Sequence, residues 1–418
     1  MVLFVQKYGG STLTDLSRLE AVARKVKKHV QAGYSIVLVL SALQGETDRL
    51  IGLVDLLTSD CPKREYDALL ATGEQASACL MVMALSRIGV KAQTLNAWQA
   101  GIHGDGIHQR SSIQSIDTDR IQQCLDHDII PVITGFQAVG QDHSIATLGR
   151  GGSDTTAVAL AAALNADECQ IYVDVQGIFT ADPKIEPSAR LIHKIDIDQM
   201  LVYSNLGAKV MQKRAVACAA KYQVPLRICP TFIEGPGTVM KYVKDTRIER
   251  TTVTAVSHAD RQIVIQLSGM KSLYDDVSQL YALIGSYGCD IEHNVRQNKD
   301  VYQFDCIISA EDYQLIENQF ESWLSSRRHI QSLVSKNLTR VSLVGFSLVK
   351  DLFITKEVID CCRSINVDVL HLFASDSQLS VVVDREYMEL VLRTLHRHFE
   401  LNKKPMTIGS QLTEVSAA

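Results

Sequence analysis

The first half of the chain alternates short apolar runs with helical patterns, and this alternation most constrains the fold. Strand-length apolar runs occur at Leu3–Gln6, Ile36–Leu40, Ile129–Thr134 and Gln170–Val173. After the first run, apolar residues recur with helical spacing at positions 16, 19, 22, 26 and 30. Buried strands separated by helices are typical of a mainly parallel sheet covered on both faces. The sequence therefore predicts an α/β fold for this half.

The second half shows a different order of elements, which repeats. A charge-rich stretch without apolar periodicity lies near residues 240–262 and marks a predicted domain boundary. Beyond it, the order strand–helix–strand–strand–helix occurs twice, from Ile263 to Ser326 and from Arg340 to Phe399, with the fifth predicted strand at Asp368–Leu372. This order is typical of ferredoxin-like modules. The predicted domains are residues 1–245, 246–335 and 336–418.

Composition excludes several classes of protein. The 418 residues are 46% hydrophobic and 21% charged, which is enough to bury more than one core. The net charge of −5 provides no basic footprint for nucleic acid. No apolar run approaches the length of a membrane span, and the N-terminus does not resemble a signal peptide. Ten scattered cysteines without a Cys-x-x-Cys pair favour reduced thiols, so we predict a cytoplasmic protein.

Two glycine-rich turns lie between a predicted strand and a predicted helix. They are Lys7-Tyr8-Gly9-Gly10-Ser11 and Gly149-Arg150-Gly151-Gly152-Ser153-Asp154. Backbone amides in such turns can bind an anion, and the arginine can hold a carboxylate at two points. Neither turn matches the P-loop or the dinucleotide fingerprint, so spacing alone leaves an ordinary turn and a phosphate site equally open. Their position favours a site, because open α/β sheets bind ligands at the carboxyl ends of their strands.

Further polar residues are expected near the same edge of the sheet. Glu74 lies in Thr72-Gly73-Glu74-Gln75, at or near the predicted start of a helix. The other candidates follow strands or lie in loops: Ser41, Thr47, Asp174, Asp182 and Lys209. Each alone is more commonly a solvated loop residue. Together they fit the transfer of a phosphoryl group from a nucleotide to a small zwitterion.

Several complete strings resemble the aspartate kinases of the amino acid kinase superfamily. The most specific are Thr147-Leu-Gly-Arg-Gly-Gly-Ser-Asp-Thr-Thr-Ala-Val-Ala-Leu-Ala and Asp174-Val-Gln-Gly-Ile-Phe-Thr-Ala-Asp-Pro-Lys. Lys7-Tyr-Gly-Gly-Ser, Ser41-Ala-Leu, Thr72-Gly-Glu-Gln, Gly135-Phe-Gln and Gly207-Ala-Lys-Val occur in the family's order. The resemblance implies a three-layer αβα kinase domain over 1–245 and two ferredoxin-like ACT modules after it. The implied reaction uses ATP and Mg²⁺ to convert L-aspartate to 4-phospho-L-aspartate, the first step towards lysine, threonine and methionine.

The resemblance also implies roles for individual residues. The ATP phosphates would be held by Lys7, Gly9, Gly10, Ser11 and Lys209. The nucleotide and magnesium region would contain Asp174, Phe179, Thr180, Asp182 and Lys184, with no particular metal ligand identified. The aspartate site would comprise Ser41, Thr47, Glu74, Arg150, Gly152, Ser153 and Asp154, with Glu74 binding the ammonium group. Lys7, Arg150 and Asp154 are the predicted catalytic residues. No general base is expected, since the attacking carboxylate is already ionised at neutral pH.

The sequence departs from the family pattern at two places that bear on function. Gln44 and Glu46 add bulk and charge to a loop near the expected substrate. In the C-terminal modules, the turns at Gly269–Ser272 and Gly345–Lys350 lack the Pro-Gly that accompanies effector binding in the family. We therefore expect feedback by lysine and threonine to be weak, absent or directed to another ligand.

Other interpretations remain open at this level. The chain could serve a side pathway, or act on glutamate, acetylglutamate or a nucleotide. It could also be a degenerate kinase whose ACT modules sense an amino acid, although retention of six predicted site residues argues against this. In each case we expect a homodimer or larger homo-oligomer formed through the ACT modules, because exposed edge strands need cover.

Overall fold

The computed structural model describes residues 1–58, 60–207, 211–242, 252–298 and 301–403. The chain forms two compact units. The N-terminal unit comprises Met1–Phe179, Leu191–Asn205 and Lys209–Ile248. The C-terminal unit comprises Thr180–Arg190, Leu206–Ala208 and Glu249–Ala418. The segment Thr180–Arg190, which falls within the predicted first domain 1–245, belongs to the C-terminal unit.

The N-terminal unit is built on a mainly parallel sheet, as predicted. In the described residues its strand order is β10-β12-β11-β9-β1-β2-β6-β3, with only the β11–β12 pair antiparallel. A smaller sheet has the order β5-β4-β7-β8. The strands are β1 Leu3–Tyr8, β2 Ser35–Leu40, β3 Ala92–Leu95, β4 Ile102–Gly104, β5 Ile113–Ile116, β6 Ile130–Thr134, β7 Gln137–Val139, β8 Ile145–Thr147, β9 Glu168–Val173, β10 Lys194–Asp196, β11 Leu226–Pro230 and β12 Thr238–Lys241.

Helices connect these strands, and their sequences explain their burial. They are α1 Leu16–Gln31, α2 Glu46–Leu57, α3 Lys63–Arg87, α4 Asp119–Asp126, α5 Gly152–Ala163, α6 Ile197–Asn205 and α7 Lys213–Tyr222. Helix α1 begins where the Asp15 side chain accepts from the Arg18 amide, and it buries one face through Leu19, Val22 and Val26. Helix α5 consists of small and apolar residues on nearly every side and is buried almost throughout.

Helix α3 has a dual character. By length and composition it is apolar enough to cross a membrane, although the sequence predicts no run of that length. In the structure it packs in the core of the N-terminal unit through Ala78, Met81 and Leu85. It also buries two carboxylates, Asp67 and Glu74. Glu74 therefore lies in the middle of a 25-residue helix, and the prediction that it lies near a helix start is wrong.

The C-terminal unit contains the two predicted strand–helix–strand–strand–helix repeats. Their strands join in one antiparallel sheet of order β14-β15-β13-β16-β18-β17 over the described residues. The elements are β13 Thr252–Met270, α8 Ser278–Ser286, β14 Ile291–Asn298, β15 Val301–Ser309, α9 Ala310–Ser325, β16 Gln331–Phe346, α10 Leu352–Ser364, β17 His371–Ser375, β18 Gln378–Asp384 and α11 Met388–His398. The fifth predicted strand, Asp368–Leu372, is displaced: β17 begins three residues later, at His371, and ends at Ser375.

The two long strands β13 and β16 each contribute to both repeats. Their pairing register shifts between Ala259 and Val264, where Arg261 has φ +52° and the facing strand has Asn337 at φ +65°. Before the shift, Val256 packs with the core of the second repeat. After it, Ile265 packs with the core of the first repeat. The start of β13 thus belongs to the core of the second repeat, although it precedes the first repeat in the sequence.

Candidate active site

The carboxyl edge of the large sheet brings four predicted segments together. Tyr8 pairs with Leu40 and with Tyr172, and Leu40 pairs with Thr134, so these residues form one row across β9, β1, β2 and β6. The segments that leave this row begin with Gly9, Ser41, Gly135 and Val173. Parallel pairing therefore places the first glycine turn beside both the Ser41 segment and the Asp174 segment.

Lys7 lies inside β1, not in the turn that the sequence predicts, because the strand continues to Tyr8. Its Nζ lies 2.6 Å from Oδ1 of Asp154, and the two side chains are only 12% and 10% exposed. A Cβ atom on Gly9 would lie 2.9 Å from the same Nζ. The lysine can occupy this position because the residue that follows the strand has no side chain.

The second glycine-rich turn leads directly into helix α5, which begins at Gly152 and not at the predicted Thr155. Gly152, Ser153 and Asp154 therefore form its first turn, where backbone amides have no partner inside the helix and favour negative charge. Ser153 and Asp154 are both buried. A Cβ on Gly135 would lie 2.7 Å from the Ser153 side chain, so the end of β6 contacts the start of α5.

Glu74 is 3% exposed and only partly satisfied. Its Oε1 accepts from the amide of Ala42 at 3.0 Å. Its Oε2 is buried and has no hydrogen-bond partner among the described residues. Burial raises the pKa of Glu74 to about 7, against the opposing effects of the Ala42 amide and of the charge on Lys7. An unfilled carboxylate oxygen of this kind suits a cationic ligand.

Ser41 and Thr47 lie on either side of the altered loop. Ser41 follows β2 and is half-buried, and its carbonyl accepts from the Ser77 hydroxyl at 2.7 Å. Thr47 is half-buried at the start of α2. The added charge of Glu46 is paired with Arg49 at 2.8 Å, and this hydrogen-bonded pair lowers the pKa of Glu46. The extra carboxylate is thereby balanced within its own helix.

Arg150 is exposed at the tip of the second glycine-rich turn. The preceding residue, Gly149, has φ +75°, and a Cβ there would lie 2.9 Å from the Gln109 carbonyl oxygen. Both the backbone conformation and the close approach require glycine at this position. The guanidinium group is therefore carried on a tightly packed turn with its side chain free to reach a ligand.

The predicted nucleotide residues are divided between the two units. Asp174 is exposed just after β9, and the Phe179 carbonyl accepts from the Tyr203 hydroxyl at 3.0 Å. Thr180 belongs to the C-terminal unit, where it is buried and its hydroxyl lies 3.0 Å from Nε2 of His396. In the same unit Asp182 and Lys184 are exposed, and Asp182 accepts from the Lys184 amide. Lys209 lies outside the described residues.

Sequence reasoning missed several residues that shape this site. Phe136 has φ +72°, which is unusual for a bulky residue, and its ring and backbone pack where a Cβ on Gly152 would lie. The Ala42 amide, which binds Glu74, carries no side-chain signal. Asp67 and Arg214 contact the segment before Gly149. For Asp67, an aspartate seven residues before Glu74 on one face of an apolar helix was a usable signal.

A mainly parallel sheet with glycine-rich turns and a largely buried lysine at its carboxyl edge is an arrangement that suits an α/β phosphotransferase. The model of the amino acid kinase family matches residues 2–230, more than half of the chain, and the chain therefore belongs to this family. The match covers both glycine-rich turns and the Asp174 segment.

Full-length relatives are more specific and are aspartate kinases. The chain is 35% identical over 404 residues to an aspartate kinase of Pseudomonas putida, covering 96% of this chain and 98% of the relative. It is 34% identical to an aspartokinase of Geobacillus stearothermophilus, covering 98% and 100%. The predicted family and enzyme class, an aspartate kinase, are confirmed.

A solved structure of similar fold confirms the architecture. It is that of aspartokinase III from Escherichia coli in complex with aspartate and ADP. The TM-score is 0.77 at 19% identity, and the match covers 95% of this chain and 99% of the other. The predicted fold class is thus confirmed by a solved structure of similar fold.

Proposed function

We propose that this chain phosphorylates the β-carboxylate of L-aspartate with ATP at the carboxyl edge of the N-terminal sheet. The observation that carries the proposal is the presence at this edge of a half-buried cation, Lys7, and a buried half-satisfied carboxylate, Glu74. One suits a phosphoryl group and the other suits an ammonium group. A zwitterionic acceptor and an anionic donor can therefore be bound side by side.

The amino acid is held at its charged groups. The ammonium group donates to Oε2 of Glu74, which supplies the partner that this buried oxygen lacks. The α-carboxylate is bound by Arg150 and by backbone amides at the start of α5, near Ser153. Ser41, Thr47 and Gly152 border this site and limit its size. These contacts leave the β-carboxylate as the free nucleophile.

Phosphoryl transfer then depends on alignment and charge. A β-carboxylate oxygen forms a bond to the γ-phosphorus, the bond to the β–γ bridging oxygen breaks, and ADP leaves with the electron pair. Lys7 neutralises charge on the transferred group, while Asp154 fixes the direction of its ammonium group. The ion pair supports both roles. If either side chain moved far, the other would be left unpaired and nearly buried.

The nucleotide is bound by residues beyond the first and ninth strands. Gly9, Gly10 and Ser11 offer backbone amides to its phosphates, and Lys209 offers a second cation. Asp174 and Phe179 complete the part of the proposed nucleotide region that lies in the N-terminal unit. These assignments follow from the family resemblance, with Asp174 further supported by its exposed position next to the first glycine turn.

Magnesium fits the donor chemistry of this region. The described residues contain no cluster of three or more metal-binding side chains, and Mg²⁺ bound to a nucleotide needs only one or two carboxylates beside the phosphates. The exposed Asp174 carboxylate is a suitable oxygen donor. When bound, the ion neutralises charge on the β- and γ-phosphates.

The test is formation of aspartyl hydroxamate from L-aspartate, ATP and hydroxylamine. We expect turnover with the wild-type chain and loss of about a thousandfold with Lys7→Met. Lys63→Met, which removes an exposed lysine of the same unit, is the matched control. Wild-type turnover equal to that of Lys7→Met would instead support a degenerate kinase that only binds ligands. Glutamate, acetylglutamate and a nucleoside monophosphate serve as competing acceptors in the same assay.

The C-terminal unit supports homo-oligomer formation. Its sheet has edge strands β14 and β17, and helix α10 begins with exposed Leu352 and Phe353. We propose that two copies meet through this unit in the cytoplasm. Phe353→Asp should lower the mass measured by light scattering, and Glu357→Gln, at another position of the same helix, should not.

The first of the two altered turns supports a change in regulation. The amides of Lys271 and Ser272 both donate to Oδ2 of Asp276, at 2.9 and 3.2 Å. Arg327 and His329 also contact this carboxylate, at 3.3 and 3.5 Å. The amides of the turn are thus already bound by a carboxylate of the same chain, which disfavours binding of a free amino acid there. Lysine and threonine are therefore poor effectors at this turn.

A further inference from the structure

Two segments, residues 108–111 and residues 147–148, contact each other and adjoin the turn that carries Arg150. The Ser111 amide donates to the Thr147 carbonyl at 2.8 Å, and Gln109 packs against Gly149. Any movement of residues 108–111 or of Thr147 would therefore move Gly149 and the arginine after it. What holds these segments determines where Arg150 stands.

A single buried carboxylate holds both segments. Asp67 is fully buried, and its Oδ2 accepts from the amides of Gln109 and Thr147 at 2.8 and 3.0 Å. Oδ2 also lies 3.0 Å from Nδ1 of His108, and Oδ1 accepts from the Thr147 hydroxyl at 2.7 Å. Four hydrogen bonds compensate the burial of this carboxylate, and all four lead to the segments before Arg150.

A second side chain holds the same segments from another helix. Arg214 of α7 donates to the carbonyls of Leu148 and Ser111, the latter at 3.0 Å. Asp67 therefore binds hydrogen-bond donors of these two segments, and Arg214 binds their carbonyl acceptors. Arg214 is exposed, so the buried contact is the one provided by Asp67.

Asp67 shares its helix with Glu74. The two residues are seven positions apart on α3, which is close to two helical turns, or about 10 Å along the axis, on one face. One end of this face binds the Ala42 amide through Glu74, and the other end binds Thr147. The helix therefore fixes the separation between the proposed ammonium site and the turn that carries the proposed carboxylate site.

We propose that Asp67 is a positioning residue that sets Arg150 at the correct distance from Glu74 for an α-amino acid acceptor. This inference rests on the proposed function and adds a determinant of acceptor binding to it. Asp67 contacts neither substrate. Its hydrogen bonds to Thr147 and Gln109 hold the turn, and the turn holds the guanidinium group.

The experiment compares Thr147→Val, which removes the hydroxyl donor, with Thr147→Ser, which keeps it. Asp67→Asn removes the charge, and Asp55→Asn on the exposed face of α2 is its matched control. We expect Thr147→Val and Asp67→Asn to raise KM for aspartate about tenfold while KM for ATP changes less than about twofold. Thr147→Ser should restore the aspartate KM. Equal increases in both KM values, or a loss of kcat alone, would overturn the proposal.

A second readout does not depend on turnover. Hydrogen exchange of the ligand-free chain, followed by mass spectrometry, should show faster exchange at residues 147–151 in Thr147→Val than in Thr147→Ser. Unchanged exchange there contradicts the anchoring role. If the wild-type chain forms no hydroxamate, the proposed function fails, and the exchange data still decide whether Asp67 holds the turn.

Discussion

The ammonium group of Lys7 lies 2.6 Å from the carboxylate of Asp154 and joins the end of β1 to the first turn of α5. The two residues are far apart in the sequence: Lys7 lies in β1, just before the first glycine-rich turn, and Asp154 lies in α5, just after the second. Their contact brings the Lys7 ammonium group near the N-terminus of α5, which carries partial positive charge. The Asp154 carboxylate compensates the repulsion between the two. This pair connects the proposed nucleotide side of the site with the amino acid side.

Replacing Asp154 should impair catalysis through Lys7. In Asp154→Asn the lysine keeps its charge but loses the partner that directs it, so we expect kcat to fall about a hundredfold with a smaller change in KM for ATP. Steady-state kinetics by hydroxamate formation measure this effect. The control is Asp126→Asn, at the exposed end of α4. Wild-type kcat in Asp154→Asn would contradict the role of the ion pair.

Binding of the amino acid should depend on pH through Glu74. Burial raises the pKa of Glu74 to about 7, and only the ionised carboxylate attracts an ammonium group. KM for aspartate should therefore rise as pH falls through 7, about tenfold for each further pH unit. Glu74→Gln should raise KM and remove this dependence between pH 6 and 8, conditions chosen to bracket the pKa of about 7. Glu65→Gln, an exposed change on the same helix, should retain the wild-type profile.

The same glutamate should destabilise the ligand-free chain at alkaline pH. Its pKa in the folded chain, about 7, exceeds the ordinary value of 4.5. The free-energy cost of burying the ionised carboxylate is therefore absent below pH 4.5 and grows as pH rises to 7. Glu74→Gln removes this cost but leaves an amide donor to satisfy. We expect a net gain of about 1–2 kcal/mol in the free energy of unfolding at pH 8. Little or no gain is expected at pH 5. Urea unfolding at the two pH values, with Glu65→Gln alongside, tests the sign.

Asp276 should be required for the stability of the first repeat of the C-terminal unit. Although burial acts in the opposite direction, the Lys271 and Ser272 amides and His329 hold its pKa below the usual value. Its contribution is therefore present above the unfolded pKa and is lost in acid. Asp276→Asn should lower the free energy of unfolding at pH 7 by about 2–3 kcal/mol, because Arg327 loses its anionic partner. The exposed neighbour change Asp275→Asn should alter it by less than about 0.5 kcal/mol.

The Asp276→Asn variant also tests how the enzyme responds to lysine and threonine. Low-millimolar lysine plus threonine should leave more than half of the wild-type activity, because Asp276 already binds the amides of the turn. Asp276→Asn weakens that internal contact and should increase any response to these amino acids. Inhibition of the wild-type chain by half under these conditions would contradict the proposed loss of feedback.

The sequence determined the order and type of the elements, because periodicity reflects which faces are buried. The strand predicted at Ile36–Leu40 spans Ser35–Leu40 in the structure, and the strand predicted at Ile129–Thr134 spans Ile130–Thr134. The exact strings also identified the family, since they place glycine-rich turns after the same strands as in other members of the family. Where the pattern was weak, as at the edge strand β17, the predicted bounds were displaced.

Only the tertiary structure decided how these elements share their residues. It placed Lys7 within a strand, buried Glu74 in the middle of a helix, packed Thr180–Arg190 with the C-terminal unit and joined Asp67 to Thr147. Each of these depends on contacts between residues distant in sequence. Local propensity carries no information about such contacts, because burial and hydrogen-bond partners are set by the packing of whole elements. The sequence thus supplies the chemical groups, and packing decides how deeply they are buried and which partners they have.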